Sequence, residues 1–234
     1  MNGPTLPPFW VVIPAAGIGT RMRADRPKQY LQLAGKTILE HTLDCFLGHA
    51  QLQGLVVCVA GDDSYWPHLP CAVDARVYRA QGGSERADSV LGGLRRLSEL
   101  GANDSEWVLV HDAARPNLAV DDLNLLLAKL ADDPVGGLLA VPARDTLKCA
   151  GPDGRVKETV DRSLIWQAFT PQMFRLGPLR EALANALGRG IAVTDEASAL
   201  EHAGHHPRLV EGRADNLKIT RPEDLQWLER HWKS

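Results

Sequence analysis

The chain has 234 residues, 44% of them hydrophobic, enough for one substantial core. Its formal net charge of −3 excludes a global positive field for nucleic acid or acidic membranes, so any anion site must rest on local charge. No apolar run is long enough to span a bilayer, and Met1 to Pro8 has neither the charged nor the apolar region of a signal peptide.

In chain order, the apolar run Phe9-Trp10-Val11-Val12-Ile13 predicts a buried strand over 10–14. It runs straight into Pro14-Ala15-Ala16-Gly17-Ile18-Gly19-Thr20-Arg21-Met22, a small-residue loop whose backbone N–H groups can approach a ligand closely. Arg21, Arg23, Arg26 and Lys28 place four cations in the eight residues 21–28. Thr37 and Glu40 form a capping box, and Ile38, Leu39, Leu43, Phe46 and Leu47 follow at helical spacing. Strands are expected at 55–60 and 76–79. Gly82-Gly83-Ser84-Glu85-Arg86 opens a helix whose stripe is Ala87, Val90, Leu91, Leu94 and Leu97. A strand at 107–111 delivers His111 and Asp112, and Asp121 and Asp122 open a helix carrying Leu123, Leu126, Leu127 and Leu130. A strand follows at 138–142.

The rhythm breaks over 143–169. Two short polar alternating runs flank Gly151-Pro152-Asp153-Gly154, which predicts a β-hairpin too polar to bury, projecting as an arm that embraces a second subunit. Strands at 207–211 and 216–219 and a last helix opened by Thr220, Pro222 and Glu223 complete the chain. Strands alternating with helices imply an α/β fold: a Rossmann-like, mostly parallel sheet covered on both faces. Residues 1–234 read as one domain, with 143–169 as an arm subdomain. Cys45, Cys58, Cys71 and Cys149 have no CxxC spacing and read as free thiols of a reducing, cytoplasmic compartment.

The glycine loop lacks the third small residue of a dinucleotide fingerprint, because Thr20-Arg21-Met22 follows Gly19. Gly35-Lys36-Thr37 fails as a phosphate loop because Tyr30 stands where its first glycine belongs. A strand, a small-residue loop and a basic cluster describe a phosphate-binding site at the carboxyl edge of a sheet. Asp112, at such an edge, is placed to hold Mg²⁺ on a phosphate chain or to serve as a turn aspartate. His111 reads as a packed strand-end histidine or, less often for such a position, a catalyst. Arg115 clamps a phosphate or braces the loop. Lys218 alternates with Leu217 and Ile219 and points away from the core, toward ligand or solvent. The N–H groups around Gly83 hold a base edge or ribose, or cap the helix.

Five segments recur here in one order: Pro14-Ala15-Ala16-Gly17-x-Gly19-x-Arg21-Met22, Pro27-Lys28-Gln29-Tyr30, His111-Asp112-Ala113-Ala114-Arg115-Pro116, Thr170-Pro171-Gln172 and Asp215-Asn216-x-Lys218. Together they resemble the 2-C-methyl-D-erythritol 4-phosphate cytidylyltransferases of the non-mevalonate isoprenoid route, over essentially the whole chain. The length leaves no room for the cyclodiphosphate synthase domain fused on in some relatives. The resemblance implies transfer of a cytidylyl group from CTP to the sugar phosphate, with Mg²⁺ and release of pyrophosphate, by a homodimer. It implies that Arg21, Lys28 and Lys218 are catalytic. It puts Pro14, Ala15, Ala16, Gly17, Gly19, Gly83, Asp88 and Ser89 on CTP, and Asp112, Arg115, Thr146, Arg162 and Thr170 on the sugar phosphate, with Asp112 a candidate metal ligand. Thr146 and Arg162 would serve the partner's site through the arm. Thr20 stands where some relatives carry another arginine. The same segments would suit an enzyme acting on another polyol phosphate such as ribitol 5-phosphate. A non-catalytic nucleotide-binding module would have no use for Lys28, Arg21, Asp112 and Lys218 together.

Overall fold

The structure, a computed structural model, describes residues 6–17, Gly19, Met22 and residues 25–232. Chain order gives β1 (Phe9–Pro14), the short hairpin β2 (Gln32–Leu33) and β3 (Lys36–Thr37), α1 (Ile38–Leu47), β4 (Leu52–Val59) and β5 (Val77–Gln81). Then come α2 (Arg86–Glu99), β6 (Trp107–Val110), α3 (Val120–Leu130), β7 (Gly136–Pro142), β8 (Leu147–Ala150) and β9 (Val156–Val160). The chain ends with β10 (Trp166–Arg175), α4 (Leu176–Gly188), α5 (Glu196–His202), β11 (Arg208–Glu211) and α6 (Pro222–His231).

Seven strands form one sheet in the order β11-β7-β10-β6-β1-β4-β5. β1 pairs in parallel with β4 and β6, and β5 and β11 extend the sheet in parallel on β4 and β7. β10 alone runs against its neighbours β6 and β7. The carboxyl ends of β1, β4, β5 and β6 therefore lie along one edge. The strand order reverses direction at β1, which opens a crevice at that edge.

Alternation along β1 divides the core. Val11 and Ile13 face Leu39, Leu43 and Phe46 of α1 and Leu123, Leu126, Leu127 and Leu130 of α3. Val12 faces the other layer, where Val90 and Leu94 of α2 meet Leu179 and Leu183 of α4. Each such buried leucine contributes about 2 kcal/mol. A small third cluster, Met22, Leu33, Ile38, Ala114, Ile219 and Leu228, seats α6 beside the loops at the carboxyl edge. The helical stripes read from sequence are the buried faces, and the Thr37–Glu40 box caps α1. α6 is capped one residue later than expected: Asp224, not Glu223, accepts the N–H groups of Thr220 and Arg221.

Three expectations need correction. Residues 216–219 form no strand; Ile219 is tied to the Ala114 carbonyl by one backbone bond and the segment is a loop. β10, absent from the sequence reading, is a central strand. The expected hairpin is present as β8 and β9, exposed along most of its length, but the chain regains strand structure at Trp166, before the expected end of the arm at 169. All four cysteines are free, and no described helix is long and apolar enough to cross a membrane.

Candidate active site

At the end of β1 the Ala15 N–H donates to the Cys58 carbonyl at 2.8 Å, keeping the chain against β4 for one more residue before it turns away. The buried Gln29 amide then donates to the Ala15 carbonyl at 2.6 Å. Two glycines are required here by geometry. Gly19 has φ +69°, and a Cβ on it would stand 2.9 Å from Lys28 Cγ. A Cβ on Gly82 would stand 2.3 Å from the Ala16 methyl, so only glycine lets the β5–α2 turn close over the loop.

Residues Lys28–Tyr30 form one turn of 3-10 helix that is anchored three ways. Lys28 Nζ donates to the Ile219 carbonyl at 3.1 Å, Gln29 holds the glycine loop, and Tyr30 Oη donates to Asp63 Oδ2 at 2.7 Å. Arg21, named as catalytic from the sequence, lies outside the described residues.

Asp112 follows β6 and is only 7% exposed. Its Oδ1 accepts from Arg86 Nε at 3.0 Å, and its Oδ2 accepts from Lys218 Nζ at 2.9 Å and Arg115 Nε at 3.3 Å. Burial alone would raise its pKa; the three surrounding cations outweigh burial and hold the carboxyl far below the usual carboxylate range. Arg86 turns its other two nitrogens, Nη1 and Nη2, onto Glu196 at 2.6 and 3.1 Å. Burial works against the charge on Arg86, but Glu196 and Asp112 more than offset it and raise its pKa.

His111 is fully enclosed. Its Nε2–H donates to the Arg115 carbonyl at 3.0 Å, which leaves Nδ1 to accept from the Thr170 hydroxyl at 3.0 Å. The Thr170 oxygen in turn accepts the Asp112 N–H at 3.0 Å. Burial, the largest influence, pushes the imidazole pKa down to about 4. His111 is therefore a neutral bracket for the 111–116 loop, in keeping with the packed reading, and Thr170 braces the same loop with its hydroxyl.

Two clefts meet at this network. The first, of about 180 Å³, lies between the glycine loop and the start of α2; Pro14, Ala15, Ala16, Gly17, Lys28, Gly83 and Ser89 line it. The second, of about 210 Å³, is bounded by Arg115, Thr170 and Gln172 and by Thr194 and Asp195 before α5. Arg86, Asp112 and Lys218 line both. Two residues expected on the nucleotide side stand back from it. Gly19 packs closely against the Lys28 side chain, and Asp88 caps α2 by accepting from Ser84 Oγ at 2.9 Å and the Glu85 N–H at 3.1 Å; neither lines the cleft. Thr146, just before β8, and Arg162, just after β9, are exposed at the base of the hairpin and line neither cleft of their own chain.

Both oxygens of Asp112, the candidate metal ligand, are engaged by cations in this arrangement. No group of three or more His, Cys, Asp or Glu side chains suited to a metal occurs among the described residues.

The sequence reading missed Arg86, Gln29 and Glu196 as site residues. Glu196 lies in a local capping signal, Asp195 to Ser198, that reveals a helix start. Its partner Arg86 is 110 positions away, and nothing local in the sequence connects the two.

Comparisons with known proteins bear on the family and the fold. The family model for 2-C-methyl-D-erythritol 4-phosphate cytidylyltransferase matches residues 9–232. Proteins of that name from Pseudomonas entomophila and Pseudomonas aeruginosa are each 70% identical, over 97% and 98% of both chains. The solved Francisella tularensis protein of that name superposes with a TM-score of 0.83 at 36% identity, covering 95% of this chain and 99% of that one. The Thermus thermophilus structure, likewise so named, gives 0.76 at 31% identity, over 94% and 97%. With a fold, a loop-and-lysine site and a full-length family match in agreement, the chain belongs to the 2-C-methyl-D-erythritol 4-phosphate cytidylyltransferase family.

Proposed function

We propose that the first cleft takes CTP and the second the sugar phosphate. The chain then catalyses CTP plus 2-C-methyl-D-erythritol 4-phosphate giving 4-diphosphocytidyl-2-C-methyl-D-erythritol and pyrophosphate, a step of isoprenoid precursor biosynthesis. The observation that carries this reading is the shared wall of Arg86, Asp112 and Lys218 between two adjoining clefts. A transfer between two phosphate compounds needs such a boundary.

A phosphate monoester has a second pKa of about 6, so the nucleophile is largely dianionic at neutral pH and needs no general base. The neutral, fully bonded His111 is not offered as one. An oxygen of the sugar phosphate attacks the α-phosphorus of CTP; the bond to the bridging oxygen breaks, and pyrophosphate leaves with the electron pair. The barrier is electrostatic, and fixed cations are the means to lower it. Lys28 and Arg21 are assigned to the triphosphate and its departing charge, and Lys218 to the α-phosphate between the clefts. Asp112 and Arg115, with Thr170 bracing their loop, are assigned to the acceptor side. Gly83 and Ser89 are assigned to the nucleoside; Ser89 Oγ accepts the Gly83 N–H at 3.0 Å and fixes that turn.

We propose Mg²⁺ as the accompanying cation. With Asp112 engaged, the ion would ride on triphosphate oxygens and water, where it offsets phosphate charge; a phosphate-borne Mg²⁺ with few protein ligands is its usual habit. We also propose a cytoplasmic homodimer. The four free cysteines support a reducing compartment. The exposed arm, with Val156, Leu164 and Ile165 uncovered, supports a second copy that receives Thr146 and Arg162 in its acceptor cleft.

Mixing the protein with CTP, Mg²⁺ and the sugar phosphate and measuring pyrophosphate and product mass tests the reading. Release with 2-C-methyl-D-erythritol 4-phosphate, and not with ribitol 5-phosphate, is expected. No release, or faster release with ribitol 5-phosphate, overturns it.

A further inference from the structure

An arginine fork beside a carboxylate ordinarily pairs with it through two parallel bonds. Arg86 does this with Glu196, at 2.6 and 3.1 Å, and it reaches Asp112 through Nε alone. Asp112 thus receives one bond from Arg86, on Oδ1, and keeps Oδ2 for Lys218 and Arg115. Three cations, Arg86, Arg115 and Lys218, face two anions, Asp112 and Glu196, so the group carries a net charge of +1.

Glu196 is itself fixed by the fold. It is 1% exposed and is the first residue of α5. Gln172 on β10 accepts the Ala197 N–H at 2.8 Å and donates to Asp195 Oδ2 at 2.9 Å, clamping the helix start to the sheet.

We propose that Glu196 is a positioning residue for the transfer. By holding the Arg86 fork from behind it keeps Asp112 turned to Lys218, and so sets where the Lys218 ammonium stands between the two clefts. The proposal rests on the two-cleft reading above. Without the Glu196 carboxylate the Arg86 fork is released to close on Asp112 through two nitrogens and draw it from Lys218.

The test uses the full-length protein with Glu196→Gln, Glu196→Asp and Lys218→Met, and the double variant Glu196→Gln with Lys218→Met. Pyrophosphate release gives kcat and both KM values, and thermal unfolding is followed in parallel. Glu196→Gln is expected to lower kcat by about ten-fold or more while KM for CTP stays within about two-fold. Because Glu196 acts through Lys218, its loss is expected to cost nothing further in the Lys218→Met background. Glu196→Asp keeps the charge and is expected to recover part of the rate, and it carries the test if the glutamine variant does not fold. Additive losses in the double variant, or a rate unchanged in both Glu196 variants, overturn the proposal. So does a loss in the aspartate variant that raises both KM values equally and tracks a fall in unfolding temperature. A wild-type protein that releases no pyrophosphate overturns instead the reading of the clefts.

Discussion

The Gln29 side-chain amide reaches fourteen positions back in sequence to donate to the Ala15 carbonyl at 2.6 Å. That bond holds the glycine loop against the 3-10 turn that carries Lys28. Gln29 and Ala15 are each 3% exposed, so removing the amide leaves a largely buried Ala15 carbonyl without its partner, at a cost of about 1–3 kcal/mol. Gln29→Leu is expected to raise KM for CTP well above its effect on KM for the sugar phosphate, and to lower the urea midpoint. Equal effects on both substrates would sever the amide from the nucleotide side.

Lys28 and Arg21 are assigned to charge that develops during transfer. Lys28→Ala and Arg21→Ala should each lower kcat by about 100-fold, the scale of a lost transition-state donor. Denaturant midpoints should hardly move; Lys28 is no part of the core clusters of the sheet. A variant with near-normal turnover would remove that residue from the electrostatic assignment.

Arg162 lies on the arm, outside both clefts of its own chain. Arg162→Ala should raise KM for the sugar phosphate by about ten-fold, as for a lost charged hydrogen bond, and leave KM for CTP unchanged. Mixing Arg162→Ala with Lys28→Ala and allowing subunits to exchange should restore activity at low sugar phosphate, because a mixed dimer holds one site with both residues. A mixture no more active than the sum of its parts would show that the arm does not cross.

His111 gives a pH signature. Its folded pKa of about 4 lies below the ordinary 6.5, so the unfolded chain takes up a proton that the native state refuses. The stability this provides is fully present above about pH 6.5 and is lost as pH falls toward 4, by about 3 kcal/mol in all. Urea unfolding measured across that window should show the decline, and His111→Asn should flatten it. Asp112 adds nothing in that range: its depressed carboxyl contributes stability that is present above the ordinary carboxylate pKa of about 3.9 and is lost only at lower pH.

Much of this was legible in the sequence for local reasons. Helical stripes such as Leu123 to Leu130 declare their own period, and β1 with its small-residue loop declares where the first cleft opens. β10 was not legible, because Pro171 interrupts it and a proline argues against a central strand. The structure accommodates that proline where the register with β7 shifts, between Ala168 and Gln172, while β6 pairs only with Gln172 to Arg175. The stretch 216–219 failed in the opposite way: its letters alternate, but Asn216 and Ile219 are buried while Leu217 and Lys218 are both half-buried, and the segment pairs with no strand. Pairs such as Arg86 and Glu196 join distant positions and become visible only once the chain has folded.

The wall of Arg86, Asp112 and Lys218 has a thermodynamic consequence. Its cations are one reservoir of positive charge serving two compartments, so an anion that draws on it from either side changes the field met by the other. The two substrates cannot then bind as strangers. Whatever factor CTP imposes on the affinity for the sugar phosphate, the sugar phosphate must return to CTP.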